Sequence, residues 1–117
     1  MRIEVRGRNV DVDDELREQV LQRFGRIGKQ VSELATLDVM VWEEKNPAIA
    51  DRQVAEATLR LKGITLRAEE RSPEMTHSIH ELAEDIRRQV KKHRELRRKR
   101  SRTRRLVNQL RGRTAEA

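Results

Sequence analysis

Arg87, Lys91, Arg94 and Arg98 recur at spacings of four, three and four, and Arg88, Lys92 and Lys99 at four and seven. On a helix of about 3.6 residues per turn each set forms a stripe along one side. Cations held at fixed intervals on a rigid element can match phosphates without the ordering entropy a coil would lose. The chemistry these residues offer is therefore anion binding. Between Arg87 and Arg113 stand 14 Lys or Arg and one acid, Glu95, a net charge of +13. From Met1 to Ile86 there are 13 Lys or Arg against 18 acids, a net charge of −5. A mildly acidic body thus carries a concentrated basic arm. Favourable interaction with a helix C-terminus would explain only about three or four cations. Such a block repels itself in solvent and reads as a surface for a polyanion, with nucleic acid as the partner. An anionic membrane suits it poorly, because the far end of the arm lacks an apolar face.

Other constellations carry less. His77 and His80 lie at i and i+3, but no third convergent metal ligand follows. Glu81 and Glu84 stand at i+4 from them, which favours exposed charge pairs. Gly25-Arg26-Ile27-Gly28 has the Gly-x-x-Gly spacing of a KH loop. No second amphipathic helix begins before the strand at Leu37, so the glycines read as a helix end. Cys is absent, which excludes disulfides, thiol catalysis and cysteine-held zinc. No nucleophile and base pair up, and no glycine-rich loop could cradle a phosphate. The sequence implies no enzyme, no cofactor, no metal and no small-molecule substrate.

The elements that must hold the basic stripes follow from periodicity. Ile3 and Val5 alternate with charged residues in a short strand over 2–6. Asp11 and Asp13 are candidate N-caps, and Leu16, Val20, Phe24 and Ile27 share one face of the helix that follows. Leu37, Val39 and Val41 alternate in a second strand, Ala55 to Leu61 in a third, and Ile64 to Ala68 in a fourth. Lys62-Gly63 makes the reversal between the last two. Ser72-Pro73-Glu74 has the order N-cap, first helical Pro, acid, and predicts the start of a second helix. Met75, Ile79, Leu82, Ile86 and Val90 give its apolar stripe, and the pattern supports helix to about Lys99.

The expected fold is α+β, a β-α-β-β-β-α two-layer sandwich. A four-stranded sheet has both helices on one face and water on the other. From Asp14 onward the order is that of a double-stranded-RNA-binding domain, although the cations lie towards the far end of the last helix, not at its start. The expected organisation is one domain over 1–99 and a basic, flexible tail over 100–117. The outer sheet face, with Trp42 its one aromatic residue, lacks the stacking platforms that sheet-based single-strand readers use. Trp42 reads as an edge or loop packing residue and not as a base platform. No signal peptide or apolar run of spanning length is present, so the chain reads as cytoplasmic.

Ile3-Glu4-Val5-Arg6-Gly7-Arg8-Asn9-Val10, Leu16-Arg17-Glu18, Gly25-Arg26-Ile27, Leu61-Lys62-Gly63, Leu66-Arg67-Ala68-Glu69-Glu70 and Arg88-Gln89-Val90-Lys91-Lys92-His93 together resemble the ribosome hibernation-promoting factor family. That family includes ribosome-associated inhibitor A, or protein Y, and the resemblance covers residues 1 to about 95. It implies the β-α-β-β-β-α fold. It also implies a non-enzymatic partner of the small ribosomal subunit, monomeric off the ribosome, that binds 16S-type rRNA and neighbouring ribosomal proteins. Such a protein occupies the mRNA and tRNA channel and idles translation under stress or in stationary phase. By resemblance, RNA contacts would come from Arg87, Arg88, Lys91, Lys92 and Arg94 on the second helix. Arg23, Arg26 and Lys29 at the end of the first helix, and Lys62 in the strand turn, would add to them. Two departures stand out. Thr76 follows Met75 where the family usually has an aromatic residue. The dimerising C-terminal domain of long members has no counterpart in these residues, so ribosome pairing through it is not expected of them. The alternative reading is a general RNA-binding, chaperone-like module without a specific ribosomal site, and a third is a module for an acidic protein.

Overall fold

In a computed structural model the backbone is described for residues 1–116 and the side chains for residues 1–111. The elements run β1 (Arg2–Arg8), α1 (Asp14–Gly25), a short 3-10 turn (Ile27–Lys29), β2 (Thr36–Glu43), β3 (Gln53–Leu61), β4 (Ile64–Ser72) and α2 (Met75–Glu116). The sheet order is β1-β2-β3-β4. β1 pairs with β2 in parallel, because α1 carries the chain back across the sheet face before β2 begins. The other two pairings are antiparallel.

The alternation in each strand sends one row of apolar side chains inward. Val5, Val39, Ala57 and Ala68 are register partners across all four strands, and all four are buried. Alanine at two of these positions leaves room for α2, which lies over β3 and β4. Its Ile79, Leu82, Ile86 and Val90 are buried against the sheet, together with Val20 and Phe24 of α1 and Ile27 after it. Each such side chain is worth roughly 1.5–3 kcal/mol in burial. α1 starts where the acids implied: Asp13 is the N-cap, and its Oδ1 accepts from the Leu16 amide at 2.8 Å. Gly7 is required by close approach, since a Cβ there would lie 2.2 Å from the Val10 carbonyl oxygen. Gly63 turns β3 into β4 at φ +80°, a conformation that favours glycine.

Three local expectations need correction. Pro73 is not the first helical residue, although the Ser72 Oγ still accepts from the Glu74 amide at 3.2 Å at the entry to α2. The Ser72 backbone itself is strand: it stays in the β4 ladder opposite Gln53, and the first helical amide bond runs from Ser78 to the Glu74 carbonyl at 3.1 Å. β1 continues two residues beyond Arg6, because Gly7 and Arg8 remain paired with Val41 and Trp42. The largest change concerns the arm. α2 does not end near Lys99 but continues as helix through Glu116. After Pro73 no proline follows, and between Gly63 and Gly112 there is no glycine. Residues 94–111 are dominated by Arg, Lys, Leu and Gln, all good helix formers, so nothing local stops the helix. Its 42 residues span about 63 Å at 1.5 Å per residue. This helix sets the 72 Å long axis of the molecule.

Candidate nucleic-acid interface

α2 is a packing element for its first four turns and an exposed basic one after them. Val90 is its last buried residue, His93 is half-buried, and every described residue from Arg94 to Arg111 is exposed. The packed part fixes the direction and rotation of the exposed part. Arg87 and Lys91 therefore sit at set positions relative to the body.

Two clefts gather the cations on the α1 side of α2. The first lies between the helices and is lined by Arg23, Arg26 and Arg87, with Ile27 and Ala83 among its other residues. The second continues along α2 and brings together Arg87, Arg88, Lys91, Arg94 and Arg98 beside Gln30. Arg87 belongs to both, so the end of α1 and the middle of α2 form one basic track. Lys29 is exposed on the turn after α1, between Gly28 and Gln30. Lys62 lies on the other flank of α2, in a cleft it shares with Arg60, Arg94 and Arg97. Arg94 thus bridges the two flanks. Lys92 lines none of these three clefts. At about 100° per residue it is turned roughly 200° from the buried Val90, away from the body.

Some of these cations are already engaged. Arg87 Nη2 contacts Glu84 Oε2 at 2.7 Å. Arg23 Nη1 donates to His80 Nδ1 at 2.8 Å, across the helix pair. This replaces the expected His–Glu pairing: His80 meets an arginine of α1, and Glu84 is taken by Arg87. No described ion pair or side-chain hydrogen bond occupies Arg26, Lys29, Lys62, Arg88, Lys91, Lys92 or Arg94. Among the described residues no group of three His, Cys, Asp or Glu could hold a metal, and no helix is long and apolar enough to cross a membrane.

The opposite sheet face is a lattice of pairs. Asp38 sits between Arg6 and Arg60, and Arg71 reaches Glu44 at 3.2 Å. Trp42 packs there near the end of β2, an inner strand and not a sheet edge, between Arg8 of β1 and Val54 of β3. Its Nε1 donates to Glu44 at 3.4 Å, Arg8 covers the ring at 5.4 Å, and its register partner Val54 is fully buried. With both its ring face and its N–H engaged, Trp42 is no open platform for a base.

Acidic groups gather instead at the α2/β4 junction. Burial, a hydrogen bond with Asp85 and the charges of Asp85 and Glu81 raise the Glu70 carboxyl above its ordinary value, and Arg88 partly offsets this.

Sequence spacing located the stripe of Arg87, Lys91, Arg94 and Arg98. It missed Arg60 and Arg97 as neighbours of Lys62, since that cluster forms only when the β3–β4 turn meets α2.

Comparison with known proteins bears on what this surface meets. The family model described as sigma 54 modulation protein / S30EA ribosomal protein matches residues 3–98. The chain belongs to that family. The ribosome hibernation promoting factor of Pseudomonas putida is 30% identical over 95 residues, covering 81% of this chain and 88% of the relative. The ribosome hibernation promotion factor of Lactococcus lactis is 33% identical over 97 residues and 80% of this chain. The aligned part spans 49% of that relative, about half its length. The crystal structure of the Thermus thermophilus protein Y N-terminal domain superposes with a TM-score of 0.69 at 22% identity, covering 80% of this chain and 99% of that one. The α+β fold is therefore the fold of this family. Within the sigma 54 modulation protein / S30EA family the chain is a binding protein and not an enzyme. The matched span closes at residue 98, just beyond Arg94 and Arg97, so the basic track lies inside it. Thr76, the departure from the usual aromatic, is exposed and donates to Gln19 of α1 at 3.3 Å. The core beneath it is closed by Ile79 and the half-buried Met75.

Proposed function

We propose that this chain is a ribosome hibernation factor that binds the small ribosomal subunit in the mRNA and tRNA channel and idles translation by occlusion. The observation that carries the reading is the basic track running from Arg23 and Arg26 through Arg87 to Lys91, Arg94 and Arg98, within a chain of this family. The names of the relatives point to the ribosome, and the track supplies a surface for ribosomal RNA. The main contacts come from Arg23, Arg26, Arg87, Arg88, Lys91 and Arg94, with Lys29 and Lys62 flanking them, and Lys92, turned away from the body, contributes less. Phosphate neutralisation supplies the affinity, and the fit of a rigid wedge to a folded RNA cleft supplies the specificity, since base-reading side chains are scarce.

Co-sedimentation with small subunits tests this reading. Binding is expected to be competed by mRNA and by initiator tRNA. Binding that ignored both competitors would sink the occlusion mechanism and leave general RNA binding. Affinity should also fall steeply with salt. A protein with about 6–10 phosphate contacts loses on the order of 10³–10⁵ between 50 and 200 mM salt on duplex DNA, and folded RNA follows the same sign.

A further inference from the structure

The cleft on the Lys62 flank of α2 differs in character from the basic track. It encloses about 510 Å³, within the roughly 300–1,000 Å³ range of small-molecule sites. Its lining includes Val31, Ala35, Leu61 and Val90, and Ala35 and Val90 are buried. At its mouth Leu34 is 91% exposed, an apolar side chain with no cover of its own. The loop that carries Leu34 is held in shape. The Leu34 amide donates to Ser32 Oγ at 3.1 Å, and the Ala35 amide to the Ser32 carbonyl at 3.0 Å.

Around this apolar floor stand cations from separate elements. Lys62 comes from the β3–β4 turn, Arg60 from the end of β3, and Arg94 and Arg97 from α2. Arg60 is paired with Asp38, whereas Lys62, Arg94 and Arg97 have no ion pair among the described residues. A purely polyanionic surface would not need an aliphatic floor, and a purely apolar ligand would not need three uncompensated cations. The occupant that satisfies both is one with a flat, weakly polar body and an attached anion.

We propose that this cleft binds a single nucleoside phosphate, its base against Val31, Leu61 and Leu34 and its phosphate between Lys62, Arg94 and Arg97. In a chain with so few aromatics, a guanidinium plane can take the base face. Gln30, Ser32 and Thr36 line the same cleft and supply polar groups for a base edge or ribose. The ligand comes either from solution, as a free nucleotide, or from RNA, as one unstacked residue. It is a ligand and not a substrate: His93 lines the cleft with Ser32 and Thr36, but among the described residues no hydrogen bond joins its imidazole to either hydroxyl. The inference extends beyond the ribosomal reading and does not depend on it.

Amide chemical-shift titration of the full chain tests this directly. The probes are AMP, GMP, the corresponding nucleosides, inorganic phosphate and a single-stranded trinucleotide. Nucleotides are expected to shift Val31, Ala35, Leu61 and Val90 and to bind at least about tenfold more tightly than either phosphate or nucleoside. Lys62→Glu combined with Arg97→Glu, two exposed positions outside the core, should remove that binding while leaving the amide spectrum of the body in place. If the trinucleotide binds and the free nucleotides do not, the source is RNA; the reverse makes it a free nucleotide. If phosphate alone shifts the cleft as strongly as nucleotides do, the proposal is overturned and the cleft is only a cation cluster. Shifts confined to 98–111 would overturn it as well. The titration uses no ribosome, and the subunit assay uses no free nucleotide, so each reading fails separately.

Discussion

The hydroxyls of Ser72 and Ser78 lie 2.7 Å apart in the buried seam where β4 passes into α2. Ser78 Oγ also donates to the Gln53 carbonyl at 2.7 Å, so β3, β4 and α2 meet at one polar knot. No buried side-chain polar atom there is left without a partner. The knot fixes the first turn of the helix that later carries the basic track.

Ser78→Ala should therefore destabilise the fold by about 1–3 kcal/mol, because it takes the side-chain donor from the Gln53 carbonyl in a buried seam, while the Ser72 hydroxyl keeps the Glu74 backbone as partner. For a domain of this size that corresponds to a fall in Tm of roughly 4–8 °C per kcal/mol. Thermal unfolding followed by circular dichroism checks it, and a shift of under a degree would show that the knot does not hold the seam.

Glu70 gives the stability a pH dependence of definite sign. Its carboxyl is raised above 4.5, first by burial and then by Asp85 and Glu81. A raised acid binds its proton more tightly in the folded state than in the unfolded one. Its contribution is fully present below the unfolded value and is lost as pH rises through the folded one. Glu70→Gln should therefore leave stability near pH 4 little changed and increase it at pH 7. The gain is under about 1 kcal/mol, since solvent screens the site. Urea unfolding at the two pH values checks this, and a variant less stable at pH 7 than the parent would contradict it.

The legibility of this molecule in its sequence divides along physical lines. Strands β2 to β4 and the core face of α2 are readable because one buried face imposes a period on Leu37, Val39 and Val41 or on Ile79, Leu82 and Ile86. The end of α2 is not readable that way. The apolar period stops with the core, whereas the helix stops only where backbone propensity fails, and Arg and Lys do not make it fail. Ser72 reads as a cap from its neighbours, yet the ladder with Gln53 holds its backbone in the strand. The Arg87 stripe is legible from spacing within one helix. The Lys62, Arg94 and Arg97 cluster and the Arg23–His80 contact join residues distant in sequence, and no local pattern announces them.

Lys91 and Lys92 are adjacent in sequence but differ in placement, and this separates rigid docking from simple charge attraction. Lys91 lines the basic track and Lys92 does not. If the track is the RNA contact, Lys91→Ala should lower small-subunit affinity several-fold and reduce the slope of log K against log salt by about 1. Lys92→Ala should do markedly less. Equal losses in filter binding across a salt series would mean that net charge matters and placement does not.

The helical arm makes the last prediction. No described residue beyond Val90 is buried, so the arm from residue 100 adds nothing to the core. It carries Arg100, Arg102, Arg104, Arg105, Arg111 and Arg113. Ending the chain after Lys99 should leave Tm within the range of a surface change, about ±0.5 kcal/mol. The same cut should remove helical ellipticity in proportion to the residues lost, because 100–116 is helix. Subunit affinity should fall together with its salt slope, as phosphates once neutralised by the arm regain their counterions. Within the arm, Val107→Pro breaks the helix while keeping every charge. If the arm binds as a rigid rod, that variant should lose most of what the deletion loses. If it binds as a charged chain, the variant should keep the affinity of the parent.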